Sequence, residues 1–196
     1  MKLIEEEKKK IKEDVLKLHN IAKDAVKLCF ESMRGNKSVL KEILKLEEDS
    51  DKLEASIHDE CSHFIMRFHP MALDLRFSLG MMRISSAYER IVDLAHEVSL
   101  YECNFRQRIF DSENIINEMF DVVELGFNEG ELREKMMKLD DRIDEIYIEV
   151  LEEIEKDFRC VEEVLATRHI ERIGDLLCKI ATRIVYIREG KWVWIK

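Results

Sequence analysis

The fold is decided by the stretch Tyr88-Glu89-Arg90-Ile91-Val92-Asp93-Leu94, which recurs in the second half of the chain as Ile170-Glu171-Arg172-Ile173-Gly174-Asp175-Leu176. Both copies place apolar residues at helical spacing around an acid-x-x-x-Asp pair, which predicts an amphipathic helix with its two acids on one face. One motif in each half of a chain indicates a duplicated structural unit.

Each copy has an acidic partner motif upstream. The segment 46–51 (Leu-Glu-Glu-Asp-Ser-Asp) matches 139–144 (Leu-Asp-Asp-Arg-Ile-Asp). Each repeat therefore carries two acid-x-x-x-Asp pairs on consecutive helices, and residues four apart share a helix face. The eight candidate metal ligands are Glu47, Asp51, Glu89 and Asp93 in the first repeat, and Asp140, Asp144, Glu171 and Asp175 in the second.

Apolar periodicity and chain breakers predict six helices. Ser38 is expected to cap the second helix, His69-Pro70 ends it, and Pro70 is placed in the first turn of the third. The fold class is all-α: a tandem repeat of two three-helix bundles, over residues 1–109 and, shortened, over 110–196. The predicted helices cover about 5–33, 38–68, 70–108, 112–125, 131–156 and 161–188, with a loop at 126–130.

The numbering predicts that the four acids of each repeat stand level across a hairpin. In an antiparallel pair of helices, residues equally far from the turn lie at the same height. In the first repeat, pairs 51/89 and 47/93 both average to position 70, the predicted turn. In the second, pairs 144/171 and 140/175 both average to 157.5, again at a predicted turn. The same level arrangement is thus kept in two hairpins of different length.

Four level carboxylates repel one another, and a bound cation removes that cost. Carboxylates suit hard ions, and facing helices hold di-iron and di-manganese sites in this way. The sequence therefore predicts metal sites but does not identify the metal. The competing interpretation is a solvated acidic face neutralised by Arg90, Arg142 and Arg172. Two further candidate ligands are His96 and Cys178, whereas three histidines are interpreted as incidental: His58, His63 and His69.

Composition excludes several classes. The chain has a net charge of −10 and a pI near 5.2, and its basic residues form no block, so nucleic acid is not an expected partner. It begins without a signal-peptide pattern and has no apolar run long enough for a membrane span, so a cytoplasmic location is expected.

Five widely spaced cysteines with no Cys-x-x-Cys pair are interpreted as reduced core thiols. The tail 191–196 is expected to pack on the bundle, with a docking role as the alternative.

These motifs resemble the PhoU family. The stretch Pro70-Met71-Ala72-Leu73-Asp74-Leu75-Arg76, followed by the first copy, is similar to its Pro-x-Ala-x-Asp-Leu-Arg and Glu-Arg-Ile-Gly-Asp signatures, and 170–175 holds the second signature in full. The resemblance covers most of residues 5–190. Val92 replaces the preferred Gly, and the shorter second hairpin resembles Pit-accessory proteins. Asp74 and Arg76 are interpreted as a local ion pair.

The resemblance implies a non-enzymatic negative regulator of phosphate uptake and phosphate signalling. It implies contact with the ATPase of a phosphate transporter or with a Pit-type transporter, and with a sensor histidine kinase in bacteria. It also implies a homodimer, membrane association only through the transporter, and multinuclear metal clusters on the acid-x-x-x-Asp motifs, with iron expected first and zinc or manganese as alternatives. Two alternatives stay open: a di-iron-type enzyme or metal store, and a helical adaptor with inert acids.

Overall fold

The computed structural model describes residues 2–128, 132–191 and 195, and all its regular structure there is helical. The predicted all-α class is confirmed, with six long helices and one short 3₁₀ turn in the described part of the chain. Their bounds are α1 Lys2–Met33, the 3₁₀ turn Lys37–Val39, α2 Leu40–Phe68, α3 Leu73–Ser99, α4 Gln107–Asn128, α5 Leu132–Lys156 and α6 Val161–Glu189. None of the described helices is apolar over a length that would cross a bilayer.

The two three-helix units pack through α3 and α6. Helices α1, α2 and α3 form one bundle and α4, α5 and α6 the other, while α3 also contacts α6 and α1 contacts α4. Gly80 near the start of α3 lies against Ile187 near the end of α6, whereas Cys103 after α3 is bonded to Cys160 before α6. Helices α3 and α6 are therefore antiparallel, and one continuous apolar core runs through both units.

Hydrogen bonds across the first hairpin fix its register. Ser86 Oγ donates to Glu54 Oε1 over 2.6 Å, and His58 Nε2 donates to the Met82 carbonyl over 3.0 Å. Pairs 54/86 and 58/82 both average to position 70, so the predicted register is confirmed. In the second hairpin, Cys178 Sγ donates to Asp140 Oδ1 over 3.3 Å. Positions 140 and 178 average to 159, which is within two residues of the predicted turn at 157.5.

The prediction that the third helix reaches position 108 is wrong. Helix α3 ends at Ser99, whose carbonyl accepts hydrogen bonds from Lys37 Nζ over 2.9 Å and from Ser32 Oγ over 2.7 Å. Lys37 Nζ also donates to the carbonyl of Tyr101, just beyond the helix, over 2.7 Å. Tertiary contacts therefore stop the helix where the local sequence has no breaker. Helix α4 consequently starts at Gln107 rather than 112.

Three smaller predictions also fail. Ser38 does not cap α2, because it lies within the 3₁₀ turn and its hydroxyl donates to Asn36 Oδ1 over 2.6 Å. Pro70 precedes α3, which begins only at Leu73 after two residues of positive φ, 69 and 72. Asp74 pairs with Lys8 of α1 over 2.9 Å instead of with Arg76.

The predicted loop at 126–130 is helical over its first three residues, which belong to α4. Positions 129 and 130 lie outside the described residues. So do positions 192–194 and 196, which hold both tryptophans of the C-terminal tail, and the packing predicted for that tail stays a prediction for them. Ile195 is 4% exposed and belongs to the core. Gly190, with φ of +70°, ends α6 in the left-handed conformation that favours glycine.

The prediction of five reduced core thiols is wrong for two of them. Cys103 and Cys160 form a disulfide that joins the α3–α4 linker to the α5–α6 turn, 57 residues further on. The other three, Cys29, Cys61 and Cys178, are buried free thiols. Spacing alone did not reveal the pair, because disulfide partners are set by the tertiary fold and not by local sequence.

We expect opposite effects from alanine at two helical glycines. A Cβ on Gly80 would lie 2.4 Å from Ile187 Cδ1, whereas one on Gly174 would have ordinary van der Waals contacts of 3.4 to 3.8 Å with Ile143 and Met119. Gly174→Ala should stabilise the fold by about 0.5–1 kcal/mol through helix propensity, and Gly80→Ala should destabilise it by about 1 kcal/mol because the core is overpacked. Urea unfolding measures both, and a more stable Gly80→Ala would contradict this packing.

Candidate metal site

Three predicted ligands of the first repeat converge. Glu47 and Asp51 on α2 and Asp93 on α3 each offer one carboxylate oxygen, and the three oxygens lie within 4.8 Å of one another. Glu47 and Asp93 are half-buried and Asp51 is exposed, so the cluster is open to solvent on one side. Three oxygens converging from two helices match the ligand arrangement of carboxylate-bridged metal sites in bundles.

Glu89, the fourth predicted acid, shares this electrostatic environment. Burial, together with the negative charges of Asp93, Glu54 and Asp51 and against the opposing charge of Arg90, raises the pKa of Glu89 to about 7. A carboxyl with this pKa is a mixture of protonated and charged forms near neutral pH. A cation held beside it would favour the charged form and lower the pKa again.

We expect the metal-free protein to lose stability as Glu89 ionises. The pKa of Glu89 in the folded state lies above the ordinary 4.5. The stability that its protonated carboxyl contributes is therefore fully present below pH 4.5 and is lost as pH rises through about 7. Glu89→Gln should match wild type at pH 4 and exceed it by about 1–2 kcal/mol at pH 8, allowing for solvent access. Urea unfolding across this range tests it, with Glu48→Gln on the exposed face as control. Parallel pH profiles for wild type and Glu89→Gln would contradict it.

The competing interpretation, arginines neutralising the acids, also finds one contact. Arg90 Nη1 lies 3.0 Å from Asp93 Oδ2, and the Arg90 side chain is 45% exposed. An exposed pair three residues apart on one helix is worth only about 0.2–1 kcal/mol. One such arginine does not balance the charge of the acids around it. Within the described residues this weak pair is the only ion pair of the three converging acids, so a cation bound between them would have little to displace.

Sequence reasoning missed two residues that extend the cluster. Glu54 accepts the Ser86 hydroxyl hydrogen bond and lies 3.4 Å from His58 Nε2. His58 was interpreted as incidental because no other histidine stands four residues away. The signal was the spacing of 47, 51, 54 and 58, which alternates four and three residues and so marks one face of α2.

The acids of the second repeat are arranged differently. Asp140 and Glu171 are buried, at 4% and 7% exposed, and Asp144 and Asp175 are half-buried. Glu171 Oε2 accepts from Arg168 Nη1 over 2.8 Å, and Asp140 accepts from the Cys178 thiol. Within the described residues, no three of these four acids bring carboxylate oxygens within 4.8 Å of one another. His96, the remaining candidate ligand, is also outside the first cluster.

Fold and site together define an all-helical tandem repeat with an acidic cluster on its first α-hairpin. The sequence model of the PhoU domain matches residues 15–101 and 111–184, so the two halves match it separately. The chain belongs to the PhoU family.

Relatives of known sequence match over nearly the whole chain. A protein of Archaeoglobus fulgidus, described as a phosphate-specific transport system accessory protein PhoU homolog, is 48% identical over 196 residues and covers 100% of both chains. A Synechocystis protein with the same description is 26% identical and covers 93% of this chain and 90% of its own.

Two solved structures share the fold. The phosphate transport system regulatory protein PhoU of Streptococcus pneumoniae superposes with a TM-score of 0.82 at 18% identity, covering 97% of this chain and 99% of that one. PhoU of Pseudomonas aeruginosa gives 0.77 at 18% identity, covering 95% and 99%. At these identities the likeness supports the predicted architecture of two repeated helical units.

Proposed function

We propose that this chain is a non-enzymatic regulator of phosphate transport that acts by protein contact and binds cations at its first acidic cluster. Full-length similarity to a protein described as a phosphate-specific transport system accessory protein supports the regulatory role. The observation that carries the cation site is the convergence of Glu47, Asp51 and Asp93 within 4.8 Å. Negative control of phosphate uptake is the specific role that we propose.

The donor set of the first cluster fits a hard or borderline metal ion. Its three oxygens come from carboxylates, and Glu89 and Glu54 add negative charge close by. Iron is the first candidate, with manganese and zinc as alternatives, because all three accept carboxylate ligands in helical bundles. A bound ion would screen the repulsion between α2 and α3 and stiffen that hairpin. These residues would hold the ion, and no chemical step on a substrate is required.

An enzyme is less well supported than a regulator. Di-iron enzymes of the ferritin class use a Glu-x-x-His motif on each of two helices. This sequence offers only the distantly similar Asp93-x-x-His96, and His96 is not part of the three-oxygen cluster. The same cluster in a regulator needs only to bind its ion.

The proposed partners are a phosphate transporter, through its ATPase or as a Pit-type carrier, and a sensor histidine kinase in a bacterial host. We also propose a homodimer located in the cytoplasm. Apolar side chains are exposed at both ends of the molecule, and they provide contact area for protein partners. These side chains are Met66, Met71 and Leu73 near the α2–α3 turn, and Phe158, Val161 and Leu165 near the α5–α6 turn.

Deletion of the gene in its own host tests the regulatory role. We expect phosphate uptake measured with ³²P to stay high in phosphate-rich medium after deletion, and to fall again when the wild-type chain is supplied. The variant Asp51→Asn/Asp93→Asn should fail to restore control, whereas Glu48→Gln/Asp141→Asn, with the same loss of charge on exposed faces, should restore it. Unchanged uptake and unchanged phosphate-dependent gene expression in the deletion strain would contradict the proposal.

A further inference from the structure

The disulfide stands at a junction outside the proposed metal site. The linker 100–106 after α3 and the turn before α6 meet at one end of the molecule, and Cys103 and Cys160 join them. Both cysteines are half-buried, unlike the three buried free thiols. A small reductant therefore has access to this sulfur pair, as reduction of a disulfide requires.

A third metal-ligating group completes the cluster. One carboxylate oxygen of Glu162 and the sulfurs of Cys103 and Cys160 all lie within 4.8 Å of one another. Glu162 is half-buried and two residues after Cys160, in the first turn of α6. Two thiolates and one carboxylate are ligands that zinc accepts, with a fourth position left for water. No ligand of the first acidic cluster takes part.

A buried ion pair holds the two cysteines together without the disulfide. Arg106 and Glu163 stand three residues after Cys103 and Cys160, and their side chains are 5% and 0% exposed. The backbone N–H, Nε and Nη2 of Arg106 donate to the Glu163 carboxylate over 2.8, 3.0 and 2.9 Å. Arg106 Nη2 also donates to the Asp157 carbonyl over 3.0 Å. The sulfur–sulfur bond takes no part in this clamp, so we expect the clamp to keep the linker against α6 after reduction as well.

The backbone leaves room for an ion between separated sulfurs. The two Cα atoms are 6.6 Å apart, near the wide end of the range of about 4.4–6.8 Å found for disulfides. A zinc–sulfur bond is about 2.3 Å long, so two sulfurs on one ion lie further apart than in a disulfide. Rotation of the two side chains then separates the sulfurs without moving the clamped backbone.

We propose that, after reduction, Cys103, Cys160 and Glu162 bind one thiophilic divalent cation of the zinc class. A dithiol reductant supplies two electrons and two protons, so the sulfur–sulfur bond breaks, two thiols form and the reductant becomes a disulfide. Metal binding displaces the two thiol protons and leaves two metal–thiolate bonds. Exchange with a disulfide oxidant reverses the sequence and releases the ion. The junction between the two repeats is thus closed covalently when oxidised and by a metal when reduced.

Cobalt(II) titration of the full chain tests this site, because thiolate ligation gives cobalt a charge-transfer absorption that carboxylate sites lack. The chain is reduced with dithiothreitol, desalted without oxygen and titrated with cobalt(II) alone. We expect the band at saturation to have the intensity of one thiolate-bound cobalt per chain, and zinc to displace it. The oxidised chain, with its disulfide intact, should show no such band.

Matched variants separate this site from other thiols. Cys103→Ser should abolish the band, while Cys178→Ser, at the thiol beside Asp140, should leave it unchanged. Glu162→Gln should still form the disulfide but weaken cobalt binding by about 10- to 100-fold or more, since a direct ligand is lost. A reduced wild-type chain without the band, or a band that survives Cys103→Ser, would overturn the proposal. So would equal cobalt affinity in Glu162→Gln and wild type.

Discussion

Replacing Arg106 by alanine should destabilise the protein by about 3–5 kcal/mol, since it leaves the buried carboxylate of Glu163 without its counter-charge and with only the backbone N–H of residue 106 as a donor from the linker. Glu163 is fully buried, and Arg106 donates three hydrogen bonds to it from its backbone and guanidinium group. Urea unfolding of the oxidised protein measures the loss.

Two variants control this experiment. Arg108→Ala, two residues along α4, removes ion pairs of a side chain that is 40% exposed, and it should cost about 1 kcal/mol or less. The double variant Arg106→Met/Glu163→Met removes both charges together, and it should recover most of the stability lost in Arg106→Ala. A loss in Arg106→Ala no larger than in Arg108→Ala would show that the pair does not hold the junction.

Metal binding should produce the second large effect. At a free concentration about 100 times its Kd, a metal that binds only the folded protein adds about 2.7 kcal/mol of stability. We expect manganese(II), titrated into the oxidised metal-free chain, to raise the Tm accordingly and to remove most of the pH dependence assigned to Glu89. Asp51→Asn/Asp93→Asn should remove the gain, because it neutralises two of the three converging carboxylates.

The control for this effect is a variant that loses the same two negative charges at positions outside the cluster. Glu48→Gln/Asp141→Asn neutralises two exposed carboxylates outside the cluster, so it should keep the full gain in Tm. An equal gain in the double asparagine variant and in wild type would place the ion outside the first cluster.

Much of the fold was predictable because its signals are local. The apolar stripes of the helices and the acid motifs at matching distances from position 70 follow directly from helical periodicity. Hydrogen bonds from Ser86 to Glu54 and from His58 to Met82 confirm that register. The end of α3 was not predictable, because Lys37 from another element binds the carbonyls of Ser99 and Tyr101 at that point of the chain.

The candidate site was predictable only in part, because it too depends on contacts between elements that are distant in the sequence. Spacing identifies which acids share a helix face but not how closely two helices approach. The first hairpin brings Glu47, Asp51 and Asp93 together. In the second hairpin, the arginine that pairs with Glu171 is Arg168. The sequence had instead indicated Arg172 and Arg142 as the arginines that neutralise the acids. The disulfide depends on two segments that meet only in the folded chain.

Anomalous X-ray diffraction from crystals loaded with iron or manganese tests the central claim most directly. We predict a peak on the first hairpin, with oxygens of Glu47, Asp51 and Asp93 at about 2.0–2.2 Å from the ion. The peak should be absent from crystals of Asp51→Asn/Asp93→Asn grown and loaded in the same way. A protein that takes up the metal in solution but shows its peaks only elsewhere, or none on the first hairpin, would contradict the assignment of this cluster as the metal site.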